Sequence, residues 1–312
     1  MGHYLQMKNK RIVFMGTPDY ATVILEKLLE ENFNVVAVFT QPDKKVGRKQ
    51  VLTPPHIKQF CLDEGLSLPI YQPNNLKEEI TTEQIKDLKP DFIIVAAYGQ
   101  ILPRSILDIA PCINLHASLL PMYRGASPIQ QAILNDDEFA GVTSMMMEEG
   151  LDSGDILGLE YVKITPTMHV AELFEELSKV ASRLAIDTLK NYENIVPKKQ
   201  NLSQVSHCAK ISKEDGEVEF LNAKVVYQNF KAYKFWPGIF LNSGLKIKEC
   251  ELLEENSLNK AGEILDIQKD FIIVGCQRGS LKITTIQPAS KKAMDVTAYI
   301  RGARLEKGDI LF

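Results

Sequence analysis

A chain of 312 residues with 45% hydrophobic and 24% charged side chains has an ordinary globular make-up. That excludes collagen-like, disordered and disulfide-stapled miniature classes. The formal net charge of −4 argues against a surface that coats nucleic acid throughout, and leaves room for a local basic patch. The acidic excess lies in the first 200 residues, and the rest carries a slight basic balance.

Five cysteines with no C-x-x-C pair are the usage of a reducing compartment, with buried thiols. No apolar run approaches the roughly 20 residues of a membrane span. The opening residues lack the apolar core of a signal peptide, so a cytoplasmic protein without membrane contact is expected. The five histidines are scattered without ligand spacing, and no metal is expected.

Along the chain, a short apolar run from Arg11 to Gly16 precedes a helical pattern over 20–31 marked by Val23, Ile24, Leu28 and Leu29. A second apolar run, Val35 to Phe39, follows at once. Strand, crossover helix and strand predict a parallel β-α-β unit, and continuous apolar runs imply strands covered on both faces. The theme recurs at 91–97, 113–116 and 142–147, with helical patterns over 54–65 and 129–134. A further helix begins near Met168, where Val170, Leu173, Phe174, Leu177 and Val180 share one face. Residues 1–195 therefore read as an α/β domain with a doubly wound, Rossmann-like parallel sheet. Residues 196–212, rich in Pro, Lys and Asn, read as a linker. Residues 213–312 offer five short β-rich runs (217–220, 245–252, 262–267, 271–274 and 281–286) and one helix over 223–233. They predict a small OB-like β-barrel domain.

Gly16-Thr17-Pro18-Asp19 keeps only the first glycine of a dinucleotide fingerprint. Pro18 stands where a second glycine would let the backbone approach a pyrophosphate, and it has no N–H to donate. A nicotinamide enzyme is disfavoured on that ground.

The chemistry concentrates at Asn114-Leu115-His116. Asn114 and His116 lie two apart on an expected strand, so their side chains leave one face. Polar groups at the end of a buried parallel strand are costly unless paired or used, and such strand ends are where α/β ligands bind. An amide donor beside an imidazole suits a developing oxyanion. The glycine-flanked loop after strand 142–147 would present Asp152 or Asp155 at the same strand ends to orient the imidazole.

Asn114-Leu115-His116-Ala117-Ser118-Leu119-Leu120-Pro121, the run Tyr123 to Gln130 and the run Gly150 to Asp155 resemble the folate-dependent formyltransferases. The likeness is strongest to the branch that formylates a charged initiator tRNA. It extends to 14–19, 38–43, 97–103 and 287–294, and so spans both domains. The resemblance implies Asn114, His116 and Asp152 as the catalytic trio, and it is the motif that selects Asp152 over Asp155. It implies Ser118, Leu119, Leu120 and Pro121 at the tetrahydrofolate site, with 10-formyltetrahydrofolate as formyl donor. It implies initiator methionyl-tRNA as partner, met by a monomer. Within the basic loop 41–50, Arg48 matches a tRNA-reading arginine, with Lys44, Lys45 and Lys49 beside it. Ala117 stands where the family often has Gly, and Met147-Glu148-Glu149 replaces a more usual Met-Asp run. A rival reading keeps the chemistry and changes the acceptor to another amine, such as that of a nucleotide sugar. The extra β-rich hundred residues at the C-terminus speak against glycinamide ribonucleotide as acceptor, because a ribonucleotide formyltransferase would stop near residue 200.

Overall fold

Ile12, Val13, Phe14 and Met15 are all fully removed from water in the first strand, as a strand covered on both faces requires. The computed structural model describes residues 7–47 and 49–311. In chain order the strands are β1 (Ile12–Gly16), β2 (Val35–Phe39), β3 (Lys44–Val46), β4 (Val51–Thr53) and β5 (Ile70–Tyr71). Then come β6 (Phe92–Ala96), β7 (Cys112–His116), β8 (Arg124–Gly125), β9 (Phe139–Met146), β10 (Ile156–Lys163) and β11 (His207–Cys208). The remainder are β12 (Ile239–Phe240), β13 (Lys246–Leu258), β14 (Ile264–Ile267), β15 (Ile272–Gly275), β16 (Arg278–Gln287) and β17 (Met294–Asp295).

Seven strands form one sheet in the order β10-β9-β7-β6-β1-β2-β5. The five from β5 to β7 run parallel, and the strand order reverses between β1 and β6, a doubly wound Rossmann-like arrangement. The helix Asp19–Glu30 buries Tyr20, Ile24, Leu25 and Leu28. Each such side chain contributes about 1.5–3 kcal/mol when fully buried. Tyr20 ties that helix to β7: its hydroxyl donates to the Leu115 carbonyl at 3.2 Å, and its ring meets Phe174 edge-on at 5.9 Å. Phe174 lies on the long helix Val170–Asn191, whose apolar stripe runs on through Leu177, Ala181, Leu184 and Leu189.

One strand departs from the expected theme. β9 runs antiparallel to β7, pairing His116 with Thr143 and Ile113 with Met146. It therefore ends beside the start of β7, opposite the carboxyl edge. β10 returns antiparallel to β9 as the sheet edge.

Contacts divide the chain into two compact units. The first comprises the described residues up to Pro128, with Phe139–Lys163 and Leu173–Cys208. The segment expected as a linker is stitched into this unit as far as Cys208, because β11 pairs in parallel with β8. The second comprises Ile129–Glu138, Ile164–Glu172 and the described residues from Ala209 on. It holds a mostly antiparallel sheet in the order β12-β13-β16-β15-β14, with β17 on β16, the small OB-like β domain. Ile247, Ile264, Ile272, Val274, Leu281, Ile283 and Ile286 fill its interior. The helix Ala223–Ala232 is capped by Asn222, whose side chain accepts from Lys224 and Val225 N–H. The strand expected over 217–220 is reduced to an isolated bridge, Glu217 to Phe240. Within this unit Asp136 is held by Lys224 at 2.7 Å and by Gln228, and Lys231 donates to Pro166 O at 2.8 Å. Among the described residues no helix is long and apolar enough to cross a membrane.

Candidate active site

β7 delivers Asn114 and His116, 8% and 7% exposed, to one side of the sheet. His116 Nε2 lies 3.0 Å from the Tyr123 carbonyl oxygen. A carbonyl only accepts, so Nε2 carries the hydrogen and the neutral ring keeps its lone pair on Nδ1. Nδ1 faces Asp152 Oδ2 at 3.7 Å. A proton taken up at Nδ1 turns this juxtaposition into an ion pair.

Asp152 reaches the site by an indirect route. Because β9 is antiparallel, the loop 147–155 starts at the opposite end of β7, where Met147 N–H donates to Cys112 O at 2.8 Å. The expectation that this loop emerges at the carboxyl ends is thus corrected: it folds back along β7. Asp152 takes a left-handed backbone with φ 49°. Its Oδ2 accepts from Gly125 N–H at 2.8 Å, and its Oδ1 lies 3.5 Å from Asn114 Nδ2. Asp155, the alternative left open by spacing, supplies its carbonyl to Met146 N–H at 2.9 Å. Glu148, at one of the family departures, accepts from Ser153 Oγ at 2.6 Å within the same loop. The structure therefore brings Asn114, His116 and Asp152 together.

Ser118, Leu119, Leu120 and Pro121 form the turn out of β7, with a cis Leu120–Pro121 bond. Thr143 Oγ1 staples it, donating to Ser118 O at 2.7 Å and accepting from Leu120 N–H at 3.0 Å. Ser118 Oγ donates to Met122 O at 2.6 Å. Ser118, Leu120 and Pro121 are buried, and Leu119 is half-buried over Gly141, where a Cβ would overlap it. Two exposed apolar side chains are neighbours in sequence: Met122 follows this turn and Leu151 precedes Asp152.

Lys44 and Lys45 lie on β3 and Lys49 in the turn of an exposed hairpin that pairs β3 with β4. The hairpin's foot is fixed by Lys58, which bonds Asp43 at 2.9 Å and Gln72 at 2.7 Å. Gln72 and Lys58 together hold the Asp43 carboxyl below its ordinary range. Arg48 lies outside the described residues. The hairpin follows β2, three strands from β7, or roughly 15 Å at the usual strand spacing. Among the described residues no group of three or more His, Cys, Asp or Glu side chains could hold a metal ion.

Tyr123, Thr143, Gln200 and Ser206 join the site without being anticipated. Tyr123 acts through its carbonyl, which no side-chain pattern reveals. Gln200 and Ser206 sit in the stretch read as a linker, where the one signal on offer was polar side chains on an extended crossing.

Residues 10–189 match the family model described as formyl transferase, and residues 210–304 match that for the formyl transferase C-terminal domain. The chain belongs to the formyl transferase family. This formyltransferase is 56% identical over 302 residues to the methionyl-tRNA formyltransferase of Nitratiruptor sp., covering 97% of this chain and 100% of that one. The methionyl-tRNA formyltransferase of Campylobacter lari is 54% identical over 303 residues, covering 97% and 100%. Among solved structures, an N-formyltransferase from Helicobacter canadensis, in complex with folinic acid and dTDP-3-aminofucose, shares the fold. Its TM-score is 0.66 at 17% identity, over 88% of this chain and 99% of that one. HypX from Aquifex aeolicus, in complex with tetrahydrofolic acid, gives a TM-score of 0.63 at 17% identity over 94% of this chain. This formyltransferase spans about half of HypX, 47% of its length. Asn114, His116 and Asp152 all fall inside the first family match.

Proposed function

We propose that this formyltransferase moves the formyl group of 10-formyltetrahydrofolate onto the α-amine of methionine esterified to initiator tRNA, as translation initiation requires. The observation that carries the reading is identity above one half, along the full chain, with enzymes named methionyl-tRNA formyltransferase. In this reading the first unit, with the segment up to Cys208 packed into it, performs the chemistry and residues 213–312 help hold the tRNA, in a cytoplasmic monomer.

The residues present fit the folate co-substrate. Asn114 makes one long hydrogen bond, to Asp152, which leaves a second amide N–H on a nearly buried side chain in the middle of β7. Met122, next in sequence to Pro121, and Leu151, next to Asp152, expose apolar surface. The folate supplies a formyl carbon bonded to N10, open to attack by an amine. An α-amine with a pKa near 8 holds about a tenth of its population as the neutral nucleophile at pH 7, so no drastic activation is required. The new bond joins the amine nitrogen to the formyl carbon, the carbon–N10 bond breaks, and a proton passes from amine to N10. Asn114 donates to the formyl oxygen as negative charge builds there, a contribution of about 3–4 kcal/mol for one such preorganised donor. His116 accepts the proton at Nδ1, and Asp152 neutralises the imidazolium that results. Ser118 to Pro121, held by Thr143, shape the wall on the folate side. Lys44, Lys45, Arg48 and Lys49 engage tRNA phosphates.

The test is a panel of amines offered with the same formyl donor: charged initiator tRNA, charged elongator tRNA and a nucleotide amino sugar. Preferred formylation of initiator methionyl-tRNA is the expected outcome. Preference for the amino sugar would overturn the acceptor.

A further inference from the structure

After the helix Val170–Asn191 the chain returns along the loop that leaves β7. Lys198 and Ile156 exchange backbone hydrogen bonds at 2.8 and 2.9 Å. Gln200, 7% exposed, then inserts its carboxamide between two loops, and each of its polar atoms is used. Its Nε2 donates to Asp152 O and to Gly154 O, both at 2.8 Å. Its Oε1 accepts from Arg124 Nε at 3.1 Å and from Arg124 Nη2 at 2.7 Å. Further on, Ser206 Oγ accepts from Tyr123 N–H and Ser206 O from Arg124 N–H, both at 2.9 Å. Cys208 Sγ donates to Tyr123 O at 3.4 Å, the same oxygen that receives His116 Nε2–H.

We infer that residues 198–208 are a positioning strap for the proton-transfer pair, with Gln200 as the positioning residue that holds Asp152 against His116. The inference rests on the proposed formyl transfer. Three observations support it. Asp152 sits in a left-handed conformation that costs a non-glycine residue of order 1–3 kcal/mol and persists only where surroundings impose it. The residues just before it, Glu149 to Leu151, are exposed and give that conformation no packing. Gln200 grips the carbonyls on both sides of the turn. The strap also fixes the partner: Ser206 and Cys208 lock Tyr123, at φ 59°, so that its carbonyl selects the Nε2–H tautomer. Both halves of the His116–Asp152 pair are thus set by one segment. Misplacement by about 1 Å can cost on the order of 100-fold in rate.

A clamp that served stability alone would alter the melting temperature and leave the turnover and the imidazole unchanged. Gln200→Glu separates the roles. It keeps the acceptor for the buried Arg124 and strengthens that contact to an ion pair, yet it cannot donate to Asp152 O and Gly154 O. Ser206→Ala tests the histidine arm through Tyr123 N–H. The variants are compared with the full-length wild type by melting, by kcat and KM for both substrates, and by 15N NMR of the histidine rings. Gln200→Glu is expected to fold with a lowered melting temperature, because two buried carbonyls lose their donor, to lose about 10- to 100-fold in kcat, and to keep both KM values within about twofold. Its His116 ring signals should shift, and Ser206→Ala should move the Nε2 signal. Wild-type kcat with unchanged His116 signals in folded Gln200→Glu overturns the strap, as does a loss confined to KM. Failure of the wild type to formylate any methionyl-tRNA would instead count against the proposed function, and the ring signals would still decide the strap.

Discussion

Gly154 has no space for a side chain, because the carbonyl oxygen of Met146 occupies the place of its missing Cβ. The turn that sends Asp152 back along β7 depends on that close approach. Gly154→Ala must push the loop outward, at a cost of about 1–3 kcal/mol for overpacking. Because Gln200 grips the Gly154 carbonyl, Asp152 moves with it. The expected outcome is a lower melting temperature together with reduced kcat; loss of stability with intact turnover would show that Asp152 tolerates the shift.

Asp152→Asn keeps the size of the side chain, and the amide oxygen can still accept from Gly125 N–H. What it removes is the charge opposite Nδ1. A folded variant with at least about 100-fold lower kcat is expected, as for a lost electrostatic contributor. Asn114→Asp should fall similarly, since it replaces the donor with an acceptor. Steady-state kinetics at saturating substrates reads both, and near wild-type rates in either would remove that residue from the trio.

The hairpin lysines act at a distance from the chemistry. Replacing Lys44, Lys45 and Lys49 with alanine should raise KM for tRNA and leave kcat unchanged. Every phosphate that a lysine no longer neutralises should flatten the plot of log affinity against log salt by roughly 0.7–0.9. Titrating binding across salt concentrations measures this, and an unaltered slope would release the lysines from the RNA.

His169 offers a pH signature in the second unit. Its Nδ1 is buried without a hydrogen-bond partner, and its ring stands edge-on to Phe230 at 5.2 Å. Burial, and then the Lys234 charge, push its pKa below the ordinary histidine value, against weaker opposition from Glu172 and Glu249. The fold therefore prefers the neutral ring. Its contribution is complete above about pH 6.5. As pH falls toward the lowered pKa, the unfolded chain binds a proton that the fold resists, and stability drops. Urea midpoints at neutral pH and near pH 5 should fall further for wild type than for His169→Phe. Equal losses would contradict the assignment.

Much of the α/β half was legible because β1, β2, β6 and β7 are buried on both faces and read as unbroken apolar runs. β10 escaped notice for the converse reason: it is an edge strand whose Glu160 and Lys163 break the pattern. The hairpin around Gly47 carries three exposed residues on each strand and read as a loop. The helix Glu79–Asp87, whose buried face is Thr81, Thr82 and Ile85, is too polar to announce itself. The direction of β9 was not readable, because an apolar run has no polarity; the wrong direction carried with it the wrong path for the 147–155 loop. Asn114, His116 and Asp152 stood out as side chains on a strand and in a glycine-flanked loop. The tautomer of His116 did not, since it is set by the Tyr123 carbonyl and by residues more than 80 positions away, such as Ser206 and Cys208.

Transfer of a labelled formyl group from 10-formyltetrahydrofolate to initiator methionyl-tRNA, followed in one turnover for wild type and His116→Ala, tests most directly whether this trio performs the reaction. The expected result is formylmethionyl-tRNA from the wild type and a single-turnover rate at least about 100-fold lower from the folded variant. A wild type that leaves initiator methionyl-tRNA unformylated, or a His116→Ala variant that matches it, would contradict the account.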